Sequence, residues 1–402
     1  MNKSNVSVFI FSIVFFLLAA CIIIFPGESF SFALEGLKLW YNIVCPALLP
    51  FFICVEILIG LGIVSLFGSI FRPLMRPAFN VPGEGSFGLF MSISSGYPVG
   101  ARIIAKLRQE DLCTCVEGQR LLNLCSTSGP LFMIGAVATG IMNNPALGLF
   151  LAVPHYLSAF TVGFLMRYYK KERISGKDAH VSNPITDMLN HRKKDGRPVG
   201  MIIGDAVKAG VNLILIIGGF IIFFSVITGL LKISGFLESL SIMASKIIPF
   251  DSITPDIISG LLIGFLEVTN GVKECASLQL LLVYKLMIIS FIIGFGGLSV
   301  NAQVMSIISE TDLKFNVYFA FKILQGITAS VYSYILFNCF SDLQVFSPDY
   351  TAGTGIWDIS THGSWIHVLM NSLINLLFVI FLMLIHFLIK YKRGRKHQSL
   401  FN

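Results

Sequence analysis

The stretch SISSGYPVGARIIAK, Ser92 to Lys106, places a turn signal inside an otherwise apolar chain. Six residues in its middle are small, polar or helix-breaking, and Arg102 follows Gly100 by two positions. About ten apolar residues precede this tip and about eight follow it, so neither arm has the ~20 residues that cross a bilayer. The stretch therefore predicts the tip of a re-entrant hairpin at 85–115.

Composition places the chain in the membrane. Hydrophobic residues make up 55% of the 402 positions and charged residues 13%, whereas soluble domains carry about 25% charged residues. The apolar residues fall in blocks of about 20, the length of a membrane-spanning helix. We predict an all-α polytopic protein in a lipid bilayer. The net charge of +7 lies mainly in loops, so we expect no nucleic-acid partner.

Motifs for chemistry are missing from the sequence. The eight cysteines lie mostly in apolar runs, which is typical of small buried side chains and not of a disulfide framework or zinc site. The sequence has no H-E-x-x-H, G-x-S-x-G or P-loop pattern. We therefore expect no enzymatic activity, no metal and no cofactor. The sequence is compatible with a homo-oligomer.

Loop charges predict the orientation. The segment 167–197 holds nine Lys/Arg against four Asp/Glu, and the tail after Ile389 is also basic, so both should be cytoplasmic by the positive-inside rule. The predicted segments are an N-terminal transmembrane helix at 1–30, a first repeat at 31–168, a cytoplasmic basic loop at 169–199, a second repeat at 200–340, an extracytoplasmic loop at 341–363, and a C-terminal transmembrane helix with a basic tail at 364–402. Both termini are then cytoplasmic.

The second half resembles the first at a distance of about 170 residues. Lys38 and Asn42 align with Lys208 and Asn212. A second tip, LEVTNGVKE, lies in a predicted hairpin at 254–278. When the orientation of these loops is followed along the chain, the first copy begins with a helix that runs into the cell. The second copy begins with a helix that runs out of it. Inverted repeats of this kind are typical of transporters.

Each predicted repeat also contains a broken transmembrane helix. The first, at 116–142, is interrupted by CSTSGP at 125–130, and the second, at 279–309, by FGGLS at 295–299. Broken backbone cannot face lipid, because each unpaired polar group costs several kcal/mol. Its free N–H groups and helix N-termini attract anions. The four interruptions therefore predict a binding site near the middle of the membrane.

Two cations follow the two tips at matching positions, Arg102 and Lys273. A charge at the bilayer centre costs roughly 2.5–3.5 kcal/mol, which favours a functional role, although each side chain also has the length to reach its own membrane surface. The candidate substrate-binding residues are Ser94, Ser95, Gly96, Tyr97, Arg102, Ser126, Thr127, Ser128, Gly129, Glu267, Thr269, Asn270, Lys273, Gly297 and Ser299.

Several candidates have a structural alternative. The hydroxyl and amide side chains would also cap the half-helices, and Tyr97 would either stack on a ligand or pack. Glu267 has three open roles: pairing with Lys273, binding a proton or ion, or hydrogen-bonding the tip. Asn301 and Gln303 are further candidates for lining the cavity. His155 is typical of an interfacial or packed histidine rather than a proton carrier.

Four motifs carry a family resemblance: SGYPVGARIIAKL, EGQRLLNLCSTSGPLFMIGAVATG, HYLSAFTVGFL and GFGGLSVNAQV. Over about residues 30 to 390 the chain resembles the YlbJ family of sporulation integral membrane proteins, also called stage V sporulation protein V. That family is grouped with the nucleoside-recognition (gate) domain proteins, and its hairpins and broken helices are similar to those of concentrative nucleoside transporters. One departure is Ser126, where the pattern leads us to expect asparagine.

The resemblance implies a nucleoside-transporter-like fold and a role in spore formation. The protein would lie in the outer forespore membrane and carry dipicolinic acid from the mother cell into the intermembrane space. Dipicolinate is a flat dianion, so we predict one carboxylate beside Arg102, the other beside Lys273, and the ring near Tyr97. The alternatives are a transporter of a nucleoside or another organic anion, and a non-transporting sporulation scaffold or sensor.

Overall fold

The computed structural model describes residues 3–170, 184–247 and 254–340, and the secondary structure of these three ranges is helical throughout. The predicted extracytoplasmic loop at 341–363 and the C-terminal helix at 364–402 lie outside the described residues. The same holds for part of the predicted basic loop.

The helices of the first half run from the N-terminus to the start of the basic loop. They are α1 Lys3–Ile24, α2 Pro26–Leu39, the π-helix π1 Trp40–Val44, α3 Cys45–Gly60, α4 Ile63–Phe79, α5 Gly85–Ser95, α6 Val99–Gln109, α7 Cys115–Leu124, the π-helix π2 Leu131–Ile141, and α8 Leu147–Met166. The predicted first span at 1–30 is in fact divided: α1 ends at Ile24, and Pro26 begins α2 because proline favours the first helical position.

The second half begins inside the basic segment. Its helices are α9 Pro184–Asp195, α10 Val199–Ile233, α11 Phe236–Ile247, α12 Pro255–Leu266, α13 Val268–Ser277, α14 Leu282–Phe295, α15 Gly297–Ile308 and α16 Phe315–Phe340. The predicted cytoplasmic loop at 169–199 contains α9, a helix that the loop charges do not predict. This helix packs against α4, and its backbone approaches Gly62 closely, since a Cβ on Gly62 would lie 2.9 Å from the carbonyl oxygen of Met188.

Four helices of the described part are long and apolar enough to cross a membrane. They are Leu147–Met166, Val199–Ile233, Leu282–Ile308 and Phe315–Cys339. Two bent helix pairs, with angles of 105° and 75°, raise the number to six if each pair is one span. Lipid contact explains the many large apolar side chains that remain exposed on these helices, because a lipid-facing surface is apolar.

The order of helices in the first half recurs in the second. A long helical segment is followed by an amphipathic helix (α4 or α11), two short helices (α5 and α6, or α12 and α13), an interrupted helix and a final long helix (α8 or α16). Gly62 and Gly235, both with positive φ, precede the two amphipathic helices. The opposite membrane orientation of the halves and the re-entrant nature of the short pairs stay predictions.

Packing positions the interruptions in the interior. Helices α8, α14 and α16 pack against one another, and α10 packs along α2 and α3. One apolar core joins α3, α4, α5, α6, α7 and α10, and a second joins π2, α8, α13 and α14. The segment 125–130, which separates α7 from π2, lies among buried residues.

Candidate functional site

The first tip lies directly against the first helix break. Gly96 has φ +81, and a Cβ there would lie 2.5 Å from the amide nitrogen of Gly129. A Cβ on Gly100 would lie 1.8 Å from the carbonyl oxygen of Cys125. Real Cβ atoms do not approach so closely, so the two backbones can touch only because these positions are glycine.

Hydroxyl groups join the same tip and break. Ser92 Oγ donates to the carbonyl oxygen of Cys125, shares a 2.7 Å hydrogen bond with Thr127 Oγ1, and accepts one of 3.2 Å from the Thr127 amide. Ser126 Oγ donates to the carbonyl of Leu122 at 2.7 Å. These bonds satisfy backbone groups that the break frees from helical pairing. The Ser126 hydroxyl thus binds the end of its own helix, as the structural alternative predicts, whereas the Thr127 hydroxyl binds the side chain of Ser92.

The second tip lies against the second break in a similar way. Gly297 has φ +66, and a Cβ there would lie 3.2 Å from both the Gly264 carbonyl oxygen and the Val268 amide nitrogen. Glu267 forms the turn between α12 and α13. Its carboxylate accepts hydrogen bonds from the amides of Thr269 at 3.0 Å and Asn270 at 2.7 Å. Of the three roles left open for Glu267, the structure shows one, the hydrogen bonding of its carboxylate to the second tip.

Tyr97 connects the two halves. Its hydroxyl, from the first tip, donates to the carbonyl oxygen of Ile293, three residues before Gly296 of the second break. A Cβ on Gly296 would lie 3.7 Å from the Tyr97 ring and hydroxyl. The first tip thus contacts its own helix break through Gly96 and the break of the other half through Tyr97.

Helices α8 and α16 close the site with polar side chains that are not among the predicted site residues. Lys322 is 1% exposed; its Nζ donates to the Ser126 carbonyl at 3.0 Å and to Gln325 Oε1 at 2.8 Å. The same Nζ lies 5.1 Å from the centroid of the Tyr97 ring, within cation–π range. His155 Nε2 accepts from the Ser128 amide at 2.8 Å. Lys322 had a signal in the sequence, a lone cation within an apolar run, which marks a functional candidate.

We call these connected polar groups the central cluster. Its members are Ser92, Tyr97, Ser126, Thr127, Ser128, His155, Tyr156, Lys322 and Gln325. Tyr156 belongs to it because its hydroxyl donates to the Ser128 carbonyl at 3.2 Å. The cluster thus draws side chains from α5, α8, α16, the first tip and the first break.

Several predicted site residues have no described contact with the central cluster, among them Ser94, Arg102 and Lys273. Ser94 is exposed, and its hydroxyl donates to the Phe90 carbonyl of its own helix at 2.9 Å. Arg102 has its Nε 3.8 Å from Glu56 Oε1 of α3. Lys273 lies on the exposed face of α13. No described contact joins Arg102 to Lys273, so the predicted arrangement with one of these cations per carboxylate gains no support from the packing.

The remaining candidates lie at the tips and breaks. Ser95 and Gly129 are in contact, since a Cβ on Gly129 would lie 3.0 Å from the Ser95 carbonyl carbon. Asn301 braces the second break: its Nδ2 donates to the carbonyls of Phe295 at 3.2 Å and Gly297 at 2.6 Å. Ser299 and Gln303 are buried near it on α15.

Known proteins resemble this chain in sequence and structure. The Gate family, described as nucleoside recognition, matches residues 43–166. The sporulation integral membrane protein YlbJ of Bacillus subtilis (strain 168) is 40% identical over 345 residues, which cover 84% of this chain and 85% of that protein. A variant of CNTnw in its intermediate 3 state has a TM-score of 0.38 and 13% identity, covering 88% of this chain and 87% of that one. A double variant of CNTnw in an outward-facing state has a TM-score of 0.33 and 14% identity, covering 83% and 84%. The identity with YlbJ over most of both sequences shows that this chain belongs to the YlbJ family of sporulation integral membrane proteins.

Proposed function

We propose that the protein is a transporter, and not an enzyme, whose interrupted helices line the path of a small solute. The observation that carries this proposal is the bond from Tyr97 to the Ile293 carbonyl, because it brings the first tip to the second break. Interrupted backbone at membrane depth persists only against protein or a solute-filled cavity. Transporters place their substrate sites at such interruptions.

The solute that we propose is dipicolinic acid, moved from the mother cell across the outer forespore membrane. Membership of a sporulation family supports a solute of spore formation. Tyr97 supplies an aromatic face, and Lys322, 5.1 Å from this ring, donates to the Ser126 carbonyl of the first break. Moving two negative charges out of an inside-negative cell gains about 4.6 kcal/mol per 100 mV, so export of the dianion needs no coupling ion.

Alternating access by two inverted halves is part of the proposal. Tip residues that are exposed in the structure offer a direct test, since Ser94 and Asn270 lie at the two tips. In a protein without native cysteines, Ser94→Cys should react with an impermeant maleimide from the cytoplasmic side and Asn270→Cys from the opposite side. Labelling of both from one side would contradict the inverted arrangement.

A nucleoside is the second candidate solute. The Gate family match over 43–166, with its description as nucleoside recognition, favours it. Competition separates the two candidates: excess unlabelled nucleoside should leave dipicolinate transport unchanged if dipicolinate is the cargo. Inhibition by nucleosides, with uptake of labelled nucleoside, would favour the second candidate instead.

The test of transport uses the purified full chain in proteoliposomes. Uptake of labelled dipicolinate should rise when valinomycin and an inward K⁺ gradient make the lumen positive. Tyr97→Phe should slow uptake several-fold, because it removes a hydrogen bond worth about 0.5–1.5 kcal/mol between the halves. Tyr41→Phe is the matched control, since Tyr41 is exposed on π1.

The outcome also decides between a transporter and a scaffold or sensor. Dipicolinate that binds to the wild-type protein without entering the lumen would favour the sensor. Potential-driven uptake that Tyr97→Phe reduces and Tyr41→Phe does not would support the transporter. Equal uptake by both variants would show that the hydrogen bond from Tyr97 to the second half does not contribute to transport.

A further inference from the structure

Among the described residues, Lys322 is the one lysine on a membrane-length helix whose side chain is fully buried. It lies in the span Phe315–Cys339 and is 1% exposed. The side chain does not reach a membrane surface, because its Nζ is hydrogen-bonded inside the central cluster. A lysine held in this way inside an apolar span needs a compensating group or a function.

The described residues supply dipoles but no counter-charge to this ammonium. Its hydrogen-bond acceptors are the Ser126 carbonyl at 3.0 Å and Gln325 Oε1 at 2.8 Å, and the Tyr97 ring faces it at 5.1 Å. No carboxylate in the described ranges forms an ion pair with it. Glu267, the carboxylate of the second tip, is occupied by the amides of α13.

Two further donors of the central cluster, on Gln325 and His155, have no acceptor among the described residues. Gln325 uses its Oε1 for Lys322, and its buried Nε2 has no hydrogen-bond partner within the described chain. His155 is fully buried; its Nε2 accepts from the Ser128 amide, so the neutral ring carries its hydrogen on Nδ1, which is also without a described partner. Buried donors left without acceptors are costly and rare. The cluster therefore has donors in excess and lacks an anion.

We propose that Lys322, together with Gln325 and His155, forms the subsite for a carboxylate of the transported solute. This inference rests on the proposed function and adds the residues that recognise the charge of the solute. The ammonium supplies the positive charge, and Gln325 Nε2 and His155 Nδ1 supply neutral donors. The Tyr97 ring, 5.1 Å from the ammonium, offers a face to a planar solute. Arg102 is not needed, since Glu56 already lies beside it.

The experiment compares a dianion with its uncharged isostere. Flux of dipicolinate and of pyridine-2,6-dicarboxamide is measured in proteoliposomes with wild-type protein, Lys322→Gln, Lys322→Arg and the control Lys208→Gln, which changes an exposed lysine of α10. We expect the wild type and Lys208→Gln to prefer the acid at least tenfold, because charged hydrogen bonds are the stronger ones. Lys322→Gln should lose this preference, and Lys322→Arg should keep most of it.

Each outcome separates the subsite from the transporter. If Lys322→Gln elutes as a folded protein and still prefers the acid tenfold, the subsite is wrong and the transporter stands. A wild-type protein that carries acid and diamide equally fast also overturns the subsite, and this arm needs no variant to fold. A wild-type protein that carries neither compound overturns the proposed function, and the subsite with it. The subsite is supported if Lys322→Gln loses the preference for the acid while Lys322→Arg and Lys208→Gln keep it.

Discussion

Glu56 Oε2 on α3 lies 2.6 Å from Lys106 Nζ on α6, and this ion pair adds a polar link to the apolar core that the two helices share. Glu56 is the only acidic residue of α3, and its side chain is 12% exposed. Arg102, one turn before Lys106, lies 3.8 Å from the same carboxylate. One carboxylate thus serves two cations of the first short helix pair.

Replacing Glu56 by Gln should destabilise the protein, because it leaves two half-buried cations without a counter-charge. We expect a loss of about 1–3 kcal/mol, which lies between the contributions of exposed and buried ion pairs to stability. The check is the unfolding midpoint in detergent. Glu35→Gln is the control, since Glu35 is exposed on α2. In a double-mutant cycle with Lys106→Met, a coupling energy near zero would contradict the pair's contribution.

Gly100→Ala should disrupt the contact between the first tip and the first break. The added Cβ would lie 1.8 Å from the Cys125 carbonyl oxygen, so α6 must move, and overpacking of this kind costs typically about 1–3 kcal/mol. Gly204→Ala is a matched control in α10, because its Cβ meets nothing within 4 Å. The control should be neutral or stabilising by about 0.4–1 kcal/mol.

The measurement is the yield of monodisperse protein and its melting temperature in detergent. A Gly100→Ala protein as stable as Gly204→Ala would show that α6 can move away from the Cys125 carbonyl without loss. The proposed binding site would then lack the rigid tip that its geometry requires.

The helix interruptions and the family resemblance could be predicted from residue types and their spacing along the chain. Gly96 and Gly129 were selected because turn residues within apolar blocks mark interruptions, and the structure brings both into contact. The family resemblance was confirmed by the identity with YlbJ. These inferences need only residue type and spacing, which the sequence carries directly.

Side-chain partners across long sequence distances could not be predicted in the same way. Lys322 is 196 residues from Ser126, and no local pattern links a lysine of the last described helix to the first break. Position along the two repeats likewise matches Arg102 with Lys273, whereas its described neighbour in the structure is Glu56. Symmetry of position does not fix the direction of long, flexible side chains.

Glu267→Ala should weaken the second tip. The carboxylate caps the N-terminus of α13 through the amides of Thr269 and Asn270, and loss of such a cap costs about 0.5–2 kcal/mol. Glu267→Gln should cost less, since its amide oxygen still accepts a hydrogen bond. The melting temperature in detergent measures both.

Glu274→Gln is the control for this change, because Glu274 forms an exposed ion pair with Lys232 and exposed pairs contribute about 0–1 kcal/mol. If Glu267→Ala has the melting temperature of the wild type but no longer transports dipicolinate, the carboxylate acts on the solute or an ion and not as a cap. That result would return Glu267 to the two roles that the structure leaves without a described contact.

The ion pair between Arg108 of α6 and Asp312, which lies between α15 and α16, makes stability depend on pH outside the membrane-length helices. Arg108 Nε lies 2.9 Å from Asp312 Oδ1, and Nη2 lies 3.1 Å from Oδ2. These bonds lower the pKa of Asp312 below its ordinary value. A depressed pKa stabilises the folded state above the ordinary value of about 3.9 and loses this contribution as the pH falls through the depressed value.

Asp312→Asn should therefore lower the free energy of unfolding at pH 7 by less than about 1 kcal/mol, since the carboxylate is half exposed. The difference from wild type should persist down to about pH 4 and shrink below it, as the wild-type carboxylate takes up its proton. Melting curves in detergent from pH 7 to 3 measure this. Glu310→Gln is the control, because Glu310 is exposed and accepts only a 3.4 Å bond from Gln109. A wild-type advantage over Asp312→Asn that grows as the pH falls would contradict the lowered pKa.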